Sequence, residues 1–152
     1  MRNTKRILLL AAFSAYAFIM LYLLFGMRSS ALFYAPDGYW KALCDHINPI
    51  PFETILEFTQ KLGETGKNGA AVINLFGNVI MFIPLGFFLP AVFSKARPFR
   101  SCMLMTLVIL AVVEITQLVT LLGTLDIDDV ILNMAGAAMG YGIWRLLTSK
   151  KQ

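Results

Sequence analysis

The run Ile7–Met27, ILLLAAFSAYAFIMLYLLFGM, decides the fold class. It carries no charge and is closed by Lys5-Arg6 on one side and Arg28 on the other. A helix needs about 20 mostly apolar residues to cross the hydrocarbon core of a bilayer, so this run reads as a membrane span. The basic residues before it would also suit a secretory leader. The apolar region of a leader, however, is only about 7–15 residues long. Here Tyr16, Phe18, Tyr22 and Phe25 are spread along a longer stretch, as expected of a helix that stays in the chain.

Three further runs qualify. The second lies between Lys67 and Lys95, with its apolar part at 70–93. The third covers about 101–123, broken by one charge, Glu114. The fourth covers about 130–147, where Arg145 can snorkel to the interface. Composition agrees: 58% of the 152 residues are apolar and only 14% charged, against about a quarter in soluble domains. The sequence therefore predicts an all-α membrane protein, a single domain over 1–152 with four transmembrane helices.

Orientation follows from the basic residues, which concentrate on the cytoplasmic side of membrane proteins. Arg2, Lys5 and Arg6, then Lys95, Arg97 and Arg100, then Arg145, Lys150 and Lys151 share one side, with no acidic residue among them. The other side has Arg28, Lys41, Lys61 and Lys67 beside Asp37, Asp45, Glu53, Glu57, Glu64, Asp126, Asp128 and Asp129. Both termini are expected in the cytoplasm and 28–69 outside. The net charge of +4 thus reflects topology, and no nucleic-acid partner is expected.

The outward segment has features of its own. Tyr34, Tyr39 and Trp40 suit the headgroup region. Pro49 and Pro51 force Asn48 and Ile50 toward extended geometry. From Glu53 the pattern is helical, with Ile55, Leu56, Phe58 and Leu62 opposite Glu53, Glu57 and Lys61. An amphipathic helix lying on the outer interface is expected, followed by a polar loop at 63–69.

Polar residues inside the spans fall at one depth. Asn74 and Asn78 share a face of the second span, Glu114 and Gln117 a face of the third, and Asp129 and Asn133 the first turns of the fourth. Glu114 is placed roughly 13 Å below the outer end of its helix. Interhelical hydrogen bonds account for Asn74, and an aspartate ahead of Val130 can cap the fourth helix. Neither accounts for Glu114, which has no basic residue at its depth in any span as partner, Arg145 lying near the far end of the fourth. A buried carboxylate without a partner is costly, so a polar cavity open to the outside is expected there. Gly136 with Gly140, and Ala138 with Gly142, allow close helix approach, and Pro84 predicts a kink. Cys44 and Cys102 fall on opposite sides of the membrane, so they should not pair. The lone His46 reads as solvated, and the chain has no nucleotide-binding loop, zinc-protease or hydrolase signature.

In order and spacing, these residues resemble the VanZ-like membrane proteins. The resemblance rests on Asn48-Pro49-Ile50-Pro51-Phe52 and on Asn78 through Pro84, Gly86 and Pro90. It continues through Glu114 and Gln117 to Asp126, Asp128, Asp129, Asn133, Gly136 and Gly140. It covers about residues 47–142. Many members carry an arginine three residues before the first aspartate of the acidic cluster, where this chain has Gly123. The resemblance implies a bacterial plasma-membrane protein linked to reduced susceptibility to teicoplanin, an acylated glycopeptide.

Two classes of function follow. In the first, the chain is no enzyme. A pocket of Asn78, Glu114, Gln117, Asp126, Asp129 and Asn133 engages a membrane lipid headgroup, a lipid-linked envelope precursor or the lipoglycopeptide itself. In the second, it is an enzyme on a polyprenyl or phospholipid substrate. Glu114 would then be the base, and Asp126, Asp128 and Asp129 would hold Mg²⁺ or Ca²⁺. No cation within the cluster is available to receive a phosphate, which favours the first. Transport ranks third, because four short helices would have to form a homo-oligomer to make a pathway.

Overall fold

The structure, a computed structural model, describes residues 2–28, 38–63 and 69–149, and side chains over 3–28, 38–60 and 75–149. Tyr34 and the 64–68 part of the expected polar loop lie outside the described residues, as do the side chains of Leu62 and Asn74.

Among the described residues, four helices are long and apolar enough to span a membrane. The first is α1 (Arg2–Leu21), whose last turn widens to π geometry over Tyr22–Gly26. Next come α4 (Gly69–Val92), α5 (Phe99–Val119) and α6 (Ile127–Ser149). Between the first two spans lie α2 (Tyr39–Asp45), β1 (Ile47–Asn48) and α3 (Glu53–Gly63). A short β2 (Leu125–Asp126) precedes α6. Large apolar side chains such as Phe18, Ile80, Leu104, Val112, Ile115 and Leu146 remain exposed on all four spans. Patches of that extent are not tolerated in water, and in a bilayer they meet lipid.

The inner faces pack around Phe82, Leu85, Leu89, Leu110, Val113 and Tyr141. The closest pair is α4 with α6. Its intimacy comes from small residues. A Cβ on Gly136 would collide with the Val79 carbonyl, one on Gly140 with the Ile83 carbonyl, and one on Gly86 with the Ala137 carbonyl. Gly86 is therefore a contact point and not merely a source of local freedom. The second expected pair is not part of this interface, because a Cβ on Gly142 would meet open space. Helix α4 continues through Pro84 and Pro90. Tyr16 ties α1 to α4 by donating its hydroxyl to the Met81 carbonyl at 2.9 Å.

Helix ends differ from the sequence expectation in ways that matter for the site. The third span stops at Val119, so Glu114 lies about 7–8 Å from that end rather than 13 Å. The fourth begins three residues early, at Ile127. Its cap is Asp126, whose Oδ1 accepts the backbone N–H of Asp128 at 2.8 Å.

The segment between α1 and α4 is joined to the bundle by backbone pairing. Ile47–Asn48 runs parallel to Leu125–Asp126, with Ile47 opposite Leu125 and Asn48 opposite Asp126. Helix α3 packs against α4 and α6, with Ile55 and Phe58 half-buried and Leu56 exposed. Trp40 is exposed, while the Tyr39 hydroxyl donates to the Val119 carbonyl at 2.9 Å. His46 is held by its own helix, its Nδ1 lying 2.7 Å from the Ala42 carbonyl.

Candidate functional site

Polar side chains from α4, α5 and α6 converge near the end of the bundle where α2, α3 and the paired strands sit. Asn78 on α4 donates its amide to Asp129 on α6. Gln117 on α5 donates to the Leu24 carbonyl at 2.9 Å. Leu24 lies in the π turn, where helix carbonyls run out of intrahelical donors, so Gln117 both satisfies that group and fastens the first span to the third. Glu114, 5% exposed, lies within electrostatic reach of the Asp126 backbone and of Asp129. Asn133, 3% exposed, is one turn beyond Asp129 on the same face of α6.

The aspartates expected to hold a metal have protein partners. Asp126 Oδ2 accepts the Thr54 hydroxyl at 2.6 Å and the Asn48 amide at 3.5 Å, while its Oδ1 caps α6. Asp128 is fully buried and does not cap α6. Its two oxygens accept the backbone N–H groups of Phe52 at 2.5 Å and Ile55 at 3.0 Å. Those N–H groups belong to the open N-terminal turn of α3, which attracts a carboxylate. Among the described residues, no group of three or more His, Cys, Asp or Glu side chains is placed to share a metal ion.

Among the described residues, two buried oxygens in this cluster have no partner: Oε2 of Glu114 and Oδ1 of Asn133. Both are acceptors, and leaving such a group unmet in the interior costs about 1–3 kcal/mol, so each calls for a donor. A third buried oxygen without a partner, Thr106 Oγ1, lies two turns down α5 from Glu114.

The chain also supplies a cation that the sequence did not reveal. Arg28 follows the π turn, is exposed, and acts electrostatically on both Glu114 and Asp129. Its guanidinium rests against Gly123, where a Cβ would collide with Nη1 and lie 3.4 Å from the Gln117 Cβ. The expectation that the cluster lacks a basic partner is therefore corrected. Arg28 lies outside the apolar run but folds back over it.

An apolar cavity reaches the cluster at Asn78. It has a volume of about 390 Å³ between α1 and α4 and is lined by Ile19, Met20, Leu23, Gly77, Ile80, Met81 and Pro84, with Tyr16 and Asn78 as its polar residues. A larger cavity of about 810 Å³ lies at the opposite end, near Arg97 and Arg145, away from the converging polar groups. Size alone does not make it the site, since gaps between lipid-facing helices fill with lipid.

The VanZ/LLP1 family matches residues 13–148. The chain belongs to that family. No curated protein and no solved structure matched it. With its four apolar spans, this VanZ/LLP1 member is a multi-pass membrane protein.

Of the candidate residues, the fold brings Asn78, Glu114, Asp129 and Asn133 toward one another and gives Gln117 and Asp126 partners in the chain around them. Sequence reasoning missed Arg28, Thr54 and the Leu24 carbonyl. A signal existed for Asn48, which precedes a proline and accepts the Ile50 N–H at 3.2 Å in an Asx turn. None existed for Thr54, whose partner is far along the chain.

Proposed function

We propose that this VanZ/LLP1 protein is a non-enzymatic receptor in the bacterial plasma membrane, with both termini cytoplasmic. Its polar site would face outward and engage a lipid headgroup, a lipid-linked envelope precursor or an acylated glycopeptide of the teicoplanin type. The observation that carries this reading is the pair of buried acceptors without partners, Glu114 Oε2 and Asn133 Oδ1. Hydroxyl or N–H donors of a headgroup would satisfy them. The groove between α1 and α4 reaches the same cluster at Asn78 and offers an acyl chain an apolar bed. Helix α3, docked on the bundle, would lie at the outer interface above it.

The alternative, an enzyme on a phospholipid or polyprenyl substrate, gains from Arg28, a cation able to meet a phosphate. Its proposed Mg²⁺ or Ca²⁺ site loses support, because the oxygens of Asp126 and Asp128 already accept hydrogen bonds from the protein.

Glu114→Gln tests the proposal. The amide is nearly isosteric and cheaper to bury than a carboxylate, so the variant should insert and hold its thermal midpoint. Protection against teicoplanin should nevertheless fall toward that of cells lacking the protein. Full protection from a well-folded Glu114→Gln protein would refute a binding role for this residue.

A further inference from the structure

We propose that Arg28 is the anion-binding element of this site, so that its ligand is a lipid carrying a phosphate in its headgroup. The inference rests on the headgroup reading above and narrows it to a chemical class.

An arginine at the end of a span ordinarily extends to the interface as an anchor. Arg28 is placed differently. Its guanidinium is pressed against the connection between α5 and α6, in a space that exists because residue 123 has no side chain. Gly123 does not have the positive φ that would demand glycine, unlike Gly38 at +91°. Backbone geometry would accept another residue at 123, but its Cβ would push the guanidinium out of this position.

The seat orients the fork. Glu114 and Asp129 attract the guanidinium from the bundle side. Their competing claims limit how much negative charge remains on offer. Asp129 shares its carboxylate with Asn78, and Asp126 is bonded to Thr54, Asn48 and the Asp128 N–H. Arg28 itself remains exposed, and a guanidinium carries five N–H donors, so one edge of the fork can take two phosphate oxygens.

The layering matches a lipid standing in a bilayer. The phosphate would lie at Arg28, at the end of the first span. Below it, Glu114 and Asn133 present acceptors to a hydroxyl or N–H next to the phosphate. The chain would lie in the groove along Met20, Leu23, Gly77 and Ile80.

The test uses the full-length protein in neutral detergent, titrated separately with phosphatidylglycerol, with diacylglycerol of the same chains, and with inorganic phosphate. Retained lipid is read by native mass spectrometry and stabilisation by the thermal midpoint. Phosphatidylglycerol should bind about tenfold more tightly than diacylglycerol, the order contributed by one charge-assisted hydrogen bond. Arg28→Gln should erase that preference. Gly123→Ala should reduce it with the charge count unchanged, because the new Cβ displaces the guanidinium. Arg28→Lys should recover part of it, as a point charge without the fork. Arg145→Gln, at the other end of the bundle, should leave it intact.

An undiminished preference in Arg28→Gln overturns the inference, as does wild-type protein that binds both lipids equally. Stabilisation by inorganic phosphate equal to that by the lipid overturns the lipid assignment. The headgroup reading fails separately, if neither lipid binds wild type saturably or if Glu114→Gln and Asn133→Leu leave lipid binding unchanged. Loss of lipid in those two variants, with an unaltered phosphate preference in Arg28→Gln, would reject Arg28 and retain the site.

Discussion

Replacing Asp128 should release α3 from the bundle. The carboxylate is fully buried, and its two oxygens accept the N–H groups of Phe52 and Ile55 at the start of α3. A hydrogen bond to a charged group contributes about 1.5–3 kcal/mol, and loss of a capping side chain costs about 1 kcal/mol. The two bonds share one carboxylate and are not additive. Water can also rehydrate the N–H groups once α3 lifts. A net cost of about 3 kcal/mol for Asp128→Ala is therefore reasonable, which shifts the local opening equilibrium about a hundredfold. Asp128→Asn keeps one acceptor and turns a donor toward the other N–H, so about a tenfold shift is expected. Hydrogen–deuterium exchange on the protein in lipid nanodiscs reads this directly. Exchange should accelerate across 52–60 while the centres of α4 and α5 hold their protection. Unchanged protection of α3 in Asp128→Ala would refute the capping argument. A metal role for Asp128 predicts instead that added Mg²⁺ or Ca²⁺ stabilises wild type and that the variant loses this effect, so a divalent-cation titration separates the two.

Gly136→Ala and Gly140→Ala should each cost about 1–3 kcal/mol, because the added methyl meets a carbonyl of α4, whereas Gly142→Ala should be neutral; thermal midpoints in one detergent compare them. A thiol reagent should label the exposed Cys44 and leave Cys102, 0% exposed, untouched from either side of the membrane until the protein is unfolded. Cys102 therefore reports packing and cannot report topology. Reporter fusions can: those after Lys95 and at the C-terminus should read cytoplasmic, and one near Lys41 outside, with the opposite result at Lys41 inverting the orientation. Thr54→Val should weaken the link between α3 and α6 by about 1 kcal/mol, the usual net contribution of a hydrogen bond, seen as faster exchange at the start of α3.

The four spans and the helix faces that carry their polar residues were legible because both are local properties. Hydropathy is summed over consecutive residues, and helical periodicity places Asn78, Glu114, Gln117, Asp129 and Asn133 on faces without reference to a neighbour. The pairing of Gly136 with Gly140 could be read for the same reason. What a side chain contacts is not local. Asp128 has the sequence context of a cap for α6, yet it serves α3, more than seventy residues earlier. Asp126, Asp128 and Asp129 were metal candidates only under the enzyme alternative, and tertiary packing gives them donors from Thr54, Phe52 and Asn78 respectively. Arg28 illustrates the limit most clearly. Outside the apolar run, it read as an ordinary flanking charge. Only the folded chain brings it against Gly123, because the missing side chain matters solely when another residue arrives to fill the space. The sequence by itself determined a four-span membrane bundle and the helix faces that carry its polar residues, since burial in lipid is dictated by composition along each helix; the depth of Glu114 followed only from the end of α5 at Val119. The tertiary structure decided which of those residues support one another and which, Glu114 and Asn133, are left with an unmet acceptor, since hydrogen-bond partners are chosen by proximity across the fold.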